Sequence, residues 1–191
     1  MQKKIFILVG HPDRESFNLK LAESYARGAK EKDNEVRLTS LADLSFDPIL
    51  HHGYKIIQEL EPDLLQIQVD IKWCDHFVIF YPSWWSTMPA LLKGMFDRIW
   101  LPDFAFKFYD HGFWWQGLLK GRTARVFVTS NSPAILARFI FGDSTNEIRK
   151  GILWFAGFKV RVKKIGLFKN IKESKKAKLL AKLKKWGGDR Y

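Results

Sequence analysis

The chain has 191 residues, 47% hydrophobic and 27% charged. Those proportions suit a globular domain with a good-sized core, here residues 1–191, and exclude a disordered chain. The formal charge is +12, yet residues 159–191 hold 13 basic and 2 acidic side chains, so +11 of it lies there and the first 158 residues are nearly neutral.

Apolar runs alternate with longer helical patterns along the chain. Lys4–Val9 reads as a buried strand, too short for a signal-peptide core or a membrane span. Ser16–Lys30 reads as a helix with Phe17, Leu21 and Tyr25 in step, and Glu35–Ser40 as a second strand. Leu41–Gly53 is a connection and Pro62–Trp73 a helix. His76–Tyr81 is a third strand, apolar throughout as in a sheet buried on both faces. Pro89–Trp100 places Leu92, Met95, Phe96 and Ile99 at helical spacing, with Ser86 or Thr87 as candidate cap. Phe104–Gln116 reads as an aromatic loop. Arg125–Ser130 is the fourth strand, Asn146–Phe155 a helix and Phe158–Ile165 the fifth strand. A lysine-rich helix spans roughly Ile171–Trp186.

This repeated βα alternation predicts an α/β fold of three layers: a doubly wound five-stranded parallel sheet, flavodoxin-like, in the order 2-1-3-4-5. Ligands in such sheets bind outside the carboxyl ends of the strands, where the strand order reverses. Three loops meet there. The first, GHPDRESFN (Gly10–Asn18), lacks the dinucleotide and phosphate-loop glycine patterns. It offers a helix N-terminus, which favours an anion, together with Ser16, Asn18 and His11. Taken alone, Ser16 reads equally well as an ordinary N-cap and His11 as a loop histidine. The second, PSWWS (Pro82–Ser86), sets two tryptophans and two serines after a buried strand. The rings fill core or line a planar ligand. The third, TSNSP (Thr129–Pro133), ends the fourth strand on the same edge.

HPDRESFN, FYPSWWSTMPALLKGMFDRIW, FAFKFYDHGF, FGD (Phe141–Asp143) and FAGF (Phe155–Phe158) together resemble the flavodoxin-like NAD(P)H:quinone oxidoreductases. That group includes mammalian quinone reductases, bacterial modulators of drug activity and the ancillary reductases of potassium-efflux systems. The resemblance runs from about residue 3 to 165. It implies that His11, Ser16, Phe17 and Asn18 hold a flavin phosphate. Pro82, Ser83, Trp84, Trp85 and Ser86 would lie along the isoalloxazine, and Thr129, Ser130, Asn131 and Ser132 would meet its pyrimidine end. Ser86, Tyr109, His111 and Phe141 would line the substrate pocket. The helix Pro89–Trp100 would pack at a homodimer interface, with Gly94 allowing close approach.

The implied activity is ping-pong reduction of quinones, extending to azo or nitro compounds. NAD(P)H gives hydride to flavin N5 and leaves, and the acceptor then takes two electrons. FMN is the expected flavin for a chain of this length, with FAD the alternative. Relatives usually carry Thr-Thr-Gly-Gly where this chain has Thr129-Ser130-Asn131-Ser132, and a phenylalanine at the position of Ser86. The tyrosine and histidine proposed to move protons in mammalian members are absent, so no protein general acid–base is assigned and the chemistry rests at N5.

Other candidates carry blander readings. His51–His52 is a surface doublet rather than a metal site. Asp97–Arg98 is a helix-end ion pair, and His76 and Cys74 are structural. A lone cysteine fits a reducing, cytoplasmic setting. The basic end reads first as a solvated helix face rather than a nucleic-acid site, with phosphate-bearing substrates, a membrane surface or a transporter as sharper partners. A regulatory flavin-containing subunit of a membrane transporter is the alternative function, and a flavodoxin-type electron carrier ranks below both.

Overall fold

The computed structural model describes residues 2–109, 114–131, 142–166 and 171–189. Strands β1 (Lys4–Val9), β2 (Glu35–Ser40) and β3 (His76–Pro82) lead to the hairpin strands β4 (Phe106–Phe108) and β5 (Trp115–Gly117). Strands β6 (Thr123–Thr129) and β7 (Lys159–Ile165) follow. The helices are α1 (Phe17–Lys30), α2 (Pro62–Trp73), α3 (Ala90–Ile99), the π-helical α4 (Glu147–Trp154) and α5 (Glu173–Gly188).

The main sheet has the order β2-β1-β3-β6-β7, parallel throughout, which is the predicted 2-1-3-4-5 order. β3 is central and all seven of its residues are buried. Phe77, Ile79 and Tyr81 face one core with α3 and α4, while Val78 and Phe80 face the other with α1 and α5. A central parallel strand has no solvated face, so the sequence there is apolar without alternation. Phe6 stacks on Phe77 at 5.3 Å, and Phe80 on Phe127 at 4.6 Å, one pair in each core. At the β7 edge the pattern alternates: Lys159, Arg161 and Lys163 are exposed, and Val160 and Val162 pack inward.

α5 crosses α1 at backbone distance. A Cβ on Gly28 would lie 1.7 Å from the Lys184 carbonyl oxygen, so only glycine permits the approach. No helix among the described residues is long and apolar enough to cross a membrane.

Several expectations are corrected. The aromatic loop contains the β4–β5 hairpin, pinned because the Trp115 indole donates to the Phe155 carbonyl at 2.8 Å and stacks on the Phe155 ring. Neither Ser86 nor Thr87 caps α3: its N-cap is Pro89, without a side-chain cap, and Thr87 is engaged elsewhere. Asp97 and Arg98 do not pair. Asp97 binds Lys93 one turn away at 2.6 Å. Arg98, 1% exposed, reaches Glu61 at 2.9 Å and donates to the Asp47 and Glu59 carbonyls. It therefore ties down the segment 47–61. Gly94 serves the same segment, since a Cβ there would lie 2.4 Å from the Pro48 carbonyl oxygen. That close approach is made within the chain. His51 pairs with Asp47 at 2.7 Å, and no metal-binding cluster occurs among the described residues.

Candidate active site

The chain leaves β1 through Gly10, whose N–H donates to the Phe80 carbonyl at 2.8 Å. The next turn closes on itself. The Asp13 N–H donates to His11 Nδ1 at 2.9 Å, and the Glu15 N–H to the Asp13 carboxylate at 2.9 Å. Ser16 caps α1, its hydroxyl accepting from the Leu19 N–H at 3.3 Å. Burial pushes the His11 pKa below its ordinary value, against the Asp13 carboxylate and backbone contact, which raise it. The ring is therefore neutral at pH 7. With Nδ1 accepting, the proton sits on Nε2, which is the ring's available donor.

Asn18 joins this turn to the far side of the crevice. Its carboxamide lies 3.2 Å from the Thr129 hydroxyl, and both residues are buried. The Thr129 carbonyl in turn accepts from the Ser83 N–H at 2.7 Å. The loops after β1, β3 and β6 thus form one hydrogen-bonded edge.

The stretch after β3 is a tight turn. Trp84 and Thr87 exchange backbone hydrogen bonds at 2.9 and 3.0 Å. Between them Trp85 (φ 50°) and Ser86 (φ 63°) both take left-handed backbone, the geometry of a two-residue primed turn built without glycine or asparagine. Such a conformation costs about 1–2 kcal/mol per residue for a side chain with a Cβ. Among the described residues the N–H groups of Trp85 and Ser86 have no partner. Successive free N–H groups in a turn offer a site for an electronegative atom. The Trp85 ring is 99% exposed and Trp84 43% exposed, with Trp84 edge-on to His11 at 5.5 Å.

A residue that the sequence reading missed holds this turn. Glu147 Oε1, from the first turn of α4, accepts from the Thr87 hydroxyl and from the Met88 N–H at 3.2 Å. An acid at a helix N-terminus is so well explained by the helix dipole that its sequence position carries no second signal. Close by, Asp143 accepts from the Thr145 hydroxyl at 2.7 Å and from Lys164 at 3.3 Å. These contacts, led by Thr145, hold its carboxyl below the usual range. The Tyr81 hydroxyl is buried, and burial, then Glu147 and Asp143, push its pKa up, so it is a neutral phenol.

The structure therefore brings together His11, Ser16, Phe17, Asn18, Pro82, Ser83, Trp84, Trp85, Ser86 and Thr129. The Ser130 N–H continues the ladder to the Ile165 carbonyl, and Asn131 is the exposed residue beyond it. Tyr109 is exposed at the end of the hairpin, its N–H donating to Trp114. Ser132, His111 and Phe141 lie outside the described residues.

A crevice at the β1/β3 switch, with a helix N-terminus on one side and a tryptophan turn on the other, defines a flavodoxin-like α/β protein. The chain belongs to the Flavodoxin_2 family, described as of flavodoxin-like fold, whose profile matches residues 3–187. It is 27% identical over 202 residues to the human ribosyldihydronicotinamide dehydrogenase [quinone], covering 92% of this chain and 86% of that one. A solved protein of Streptococcus mutans superposes with a TM-score of 0.80 at 27% identity, over 96% of this chain and 98% of that one. The NAD(P)H:quinone oxidoreductase of Methanothermobacter marburgensis superposes at 0.82 with 22% identity, over 99% of each chain. At 22% identity that likeness speaks for the fold alone.

Proposed function

We propose that this chain is a flavin-dependent NAD(P)H oxidoreductase that reduces quinones, and also azo or nitro compounds, in a ping-pong cycle. The observation that carries this reading is the Trp84–Thr87 turn. It offers an exposed ring and two unpartnered N–H groups beside a helix N-terminus, where the strand order reverses. A flavin needs those three things: a flat surface, donors for its polar edge, and a site for its phosphate. The relatives named as quinone dehydrogenases support the same class. FMN is the flavin proposed, with FAD the alternative; a solved Bacillus anthracis azoreductase of the same fold is described as FMN-dependent.

In this reading α1 presents its N-terminus to the phosphate, and Ser16 and Phe17 open that helix. His11 adds a neutral Nε2–H donor. Asn18 acts indirectly, because its carboxamide is committed to Thr129 and locks the two loops together. Trp85 and Ser86 supply backbone donors to the ring edge, and Trp84 closes the crevice toward His11. Asn131 completes the edge at the pyrimidine end. When bound, the flavin supplies the two-electron hydride relay at N5. Ser86 and Tyr109 line the acceptor pocket, shared with a second copy of the chain. Exposed Ile49, Tyr54, Ile56 and Ile57 on the segment that Arg98 ties down favour such a homodimer. A reducing cytoplasm suits Cys74, which is buried, its thiol pushed up to about 12 by desolvation.

The test is flavin release from purified protein with mass identification, then NAD(P)H oxidation and benzoquinone turnover. A yellow protein bleached by NAD(P)H and turning over on benzoquinone is the expected result. A colourless protein that takes up no added flavin would sink the reading. Bleaching without turnover, together with binding to a transporter domain, would favour the regulatory role.

A further inference from the structure

The lysines of α5 fall into two sets with different fates. On the flank toward α1 the charges are neutralised locally: Lys184 pairs with Glu31 at 2.7 Å, and Lys176 with Glu173 at 2.6 Å. The other flank carries Lys175, Lys178, Lys182 and Lys185, at the spacing i, i+3, i+7, i+10 that makes one stripe on a helix. All four are exposed. That stripe adjoins the edge strand β7 through Trp186, whose ring has Lys182 at 5.0 Å and Lys163 at 5.4 Å. β7 adds exposed Lys159, Arg161 and Lys163, every second residue on one face. Among the described residues none of these seven cations has a carboxylate partner. A cleft of about 280 Å³ opens between the two elements, lined by Arg125, Arg161, Lys163 and Trp186, with Asp189 the one carboxylate lining it.

Seven like charges, none in an ion pair and with only Asp189 lining the cleft beside them, repel one another, while carboxylates are available and used on the opposite flank. The imbalance is local to this face, so general solubility does not account for it. Two features select the occupant. The band is two-dimensional, a helix stripe beside a strand stripe, which matches a sheet of headgroups better than a single linear polymer. Its one aromatic offers no stacking platform, because Trp186 lies on Phe127 at 5.8 Å and 20° and carries lysines on its ring.

We propose that the β7–α5 face docks this protein reversibly on an anionic lipid bilayer, with the seven cations held against headgroup phosphates and carboxylates. The band lies along β7 and α5, whereas the crevice is formed by the loops after β1, β3 and β6.

The experiment is sedimentation of the full-length protein with vesicles of phosphatidylcholine, with or without 30% phosphatidylserine, at about 0.1 M salt, where surface charges are not yet fully screened. Binding should require phosphatidylserine and vanish at high salt. Each juxtamembrane lysine is worth roughly fivefold in partition. Lys175→Gln, Lys178→Gln and Lys185→Gln together should weaken binding at least tenfold, as should Lys159→Gln with Arg161→Gln. These variants leave Lys163 and Lys182 on Trp186, so packing is kept. Lys120→Gln with Lys150→Gln removes two charges elsewhere, as many as the β7 pair, and should change binding less than twofold. Quinone turnover in solution is measured in parallel and should be unaltered in every variant; a protein that docks but does not turn over overturns only the oxidoreductase reading. Equal binding to neutral vesicles, or equal losses in the band and control variants, would overturn the docking proposal. So would tighter, band-dependent binding to duplex DNA or to a polyglutamate peptide at the same salt.

Discussion

Removing the Glu147 carboxylate tests the turn on which the functional reading rests. Glu147→Ala deletes the acceptor of the Thr87 hydroxyl and of the buried Met88 N–H. A hydrogen bond to a charged acceptor contributes about 1.5–3 kcal/mol, and a buried donor left unsatisfied costs about 1–3 kcal/mol. The turn itself holds two residues with Cβ atoms in left-handed backbone, a combined strain of roughly 2–4 kcal/mol. The latch and the strain are therefore of similar size, and without the latch the Trp84–Thr87 turn should relax toward ordinary backbone. The two N–H groups would then no longer be held in place, and FMN affinity should fall about 10–100-fold, the equivalent of roughly 1.4–2.8 kcal/mol. Glu147→Gln keeps an acceptor oxygen and should lose less. The assays are FMN fluorescence quenching for the dissociation constant and amide hydrogen exchange over residues 83–88. An alanine variant with FMN affinity within twofold of the parent, and unchanged exchange in that window, would refute the reasoning.

Trp85→Ala should release flavin more readily than Trp114→Ala, although both rings are exposed, because only Trp85 stands in the crevice turn; equal retention on dialysis would count against that placement. Arg98→Ala removes the buried donor of two carbonyls and of the partly exposed Glu61 carboxylate, which should cost about 1–3 kcal/mol, read as a lowered midpoint in urea. A midpoint within error of the parent would show that segment 47–61 holds itself. His76 is buried against Thr123 at 2.7 Å and its pKa is lowered to about 3, chiefly by burial, with Arg125 and Lys3 adding to it. Its folded pKa lies below the unfolded value of about 6.5, so the unfolded chain takes up the proton first. The stability that the neutral ring contributes is full above about pH 6.5 and is lost as pH falls toward 3, at up to about 1.4 kcal/mol per pH unit. His76→Gln should flatten that part of the profile relative to the parent, and parallel profiles would remove the histidine from the account.

The sheet was legible because its signals are local. Val9, Tyr81 and Val128 end apolar runs suited to a strand buried on both faces, and the intervening 3.6-residue periods are helices. The crevice was legible as a set of loops, since strand order fixes which connections share an edge. Three things were not. The β4–β5 hairpin depends on Phe155 and Ala156, which are distant in sequence. Arg98 looked like a helix-end charge beside Asp97, and only the packed segment 47–61 gives its guanidinium carbonyls to bind. The Trp85–Ser86 turn has neither glycine nor asparagine to announce positive φ.

The order of side chains along this chain therefore determined the elements, their parallel stacking and the edge at which the three loops meet. Periodicity and burial of short segments are properties of neighbours in sequence. Tertiary structure decided which polar groups meet: Asn18 with Thr129, Glu147 with Thr87, and lysines paired on one flank of α5 and unpaired on the other. A hydrogen bond or ion pair needs its atoms within about 3 Å in a set direction. No local pattern specifies that across a hundred residues, and only the packed layers do.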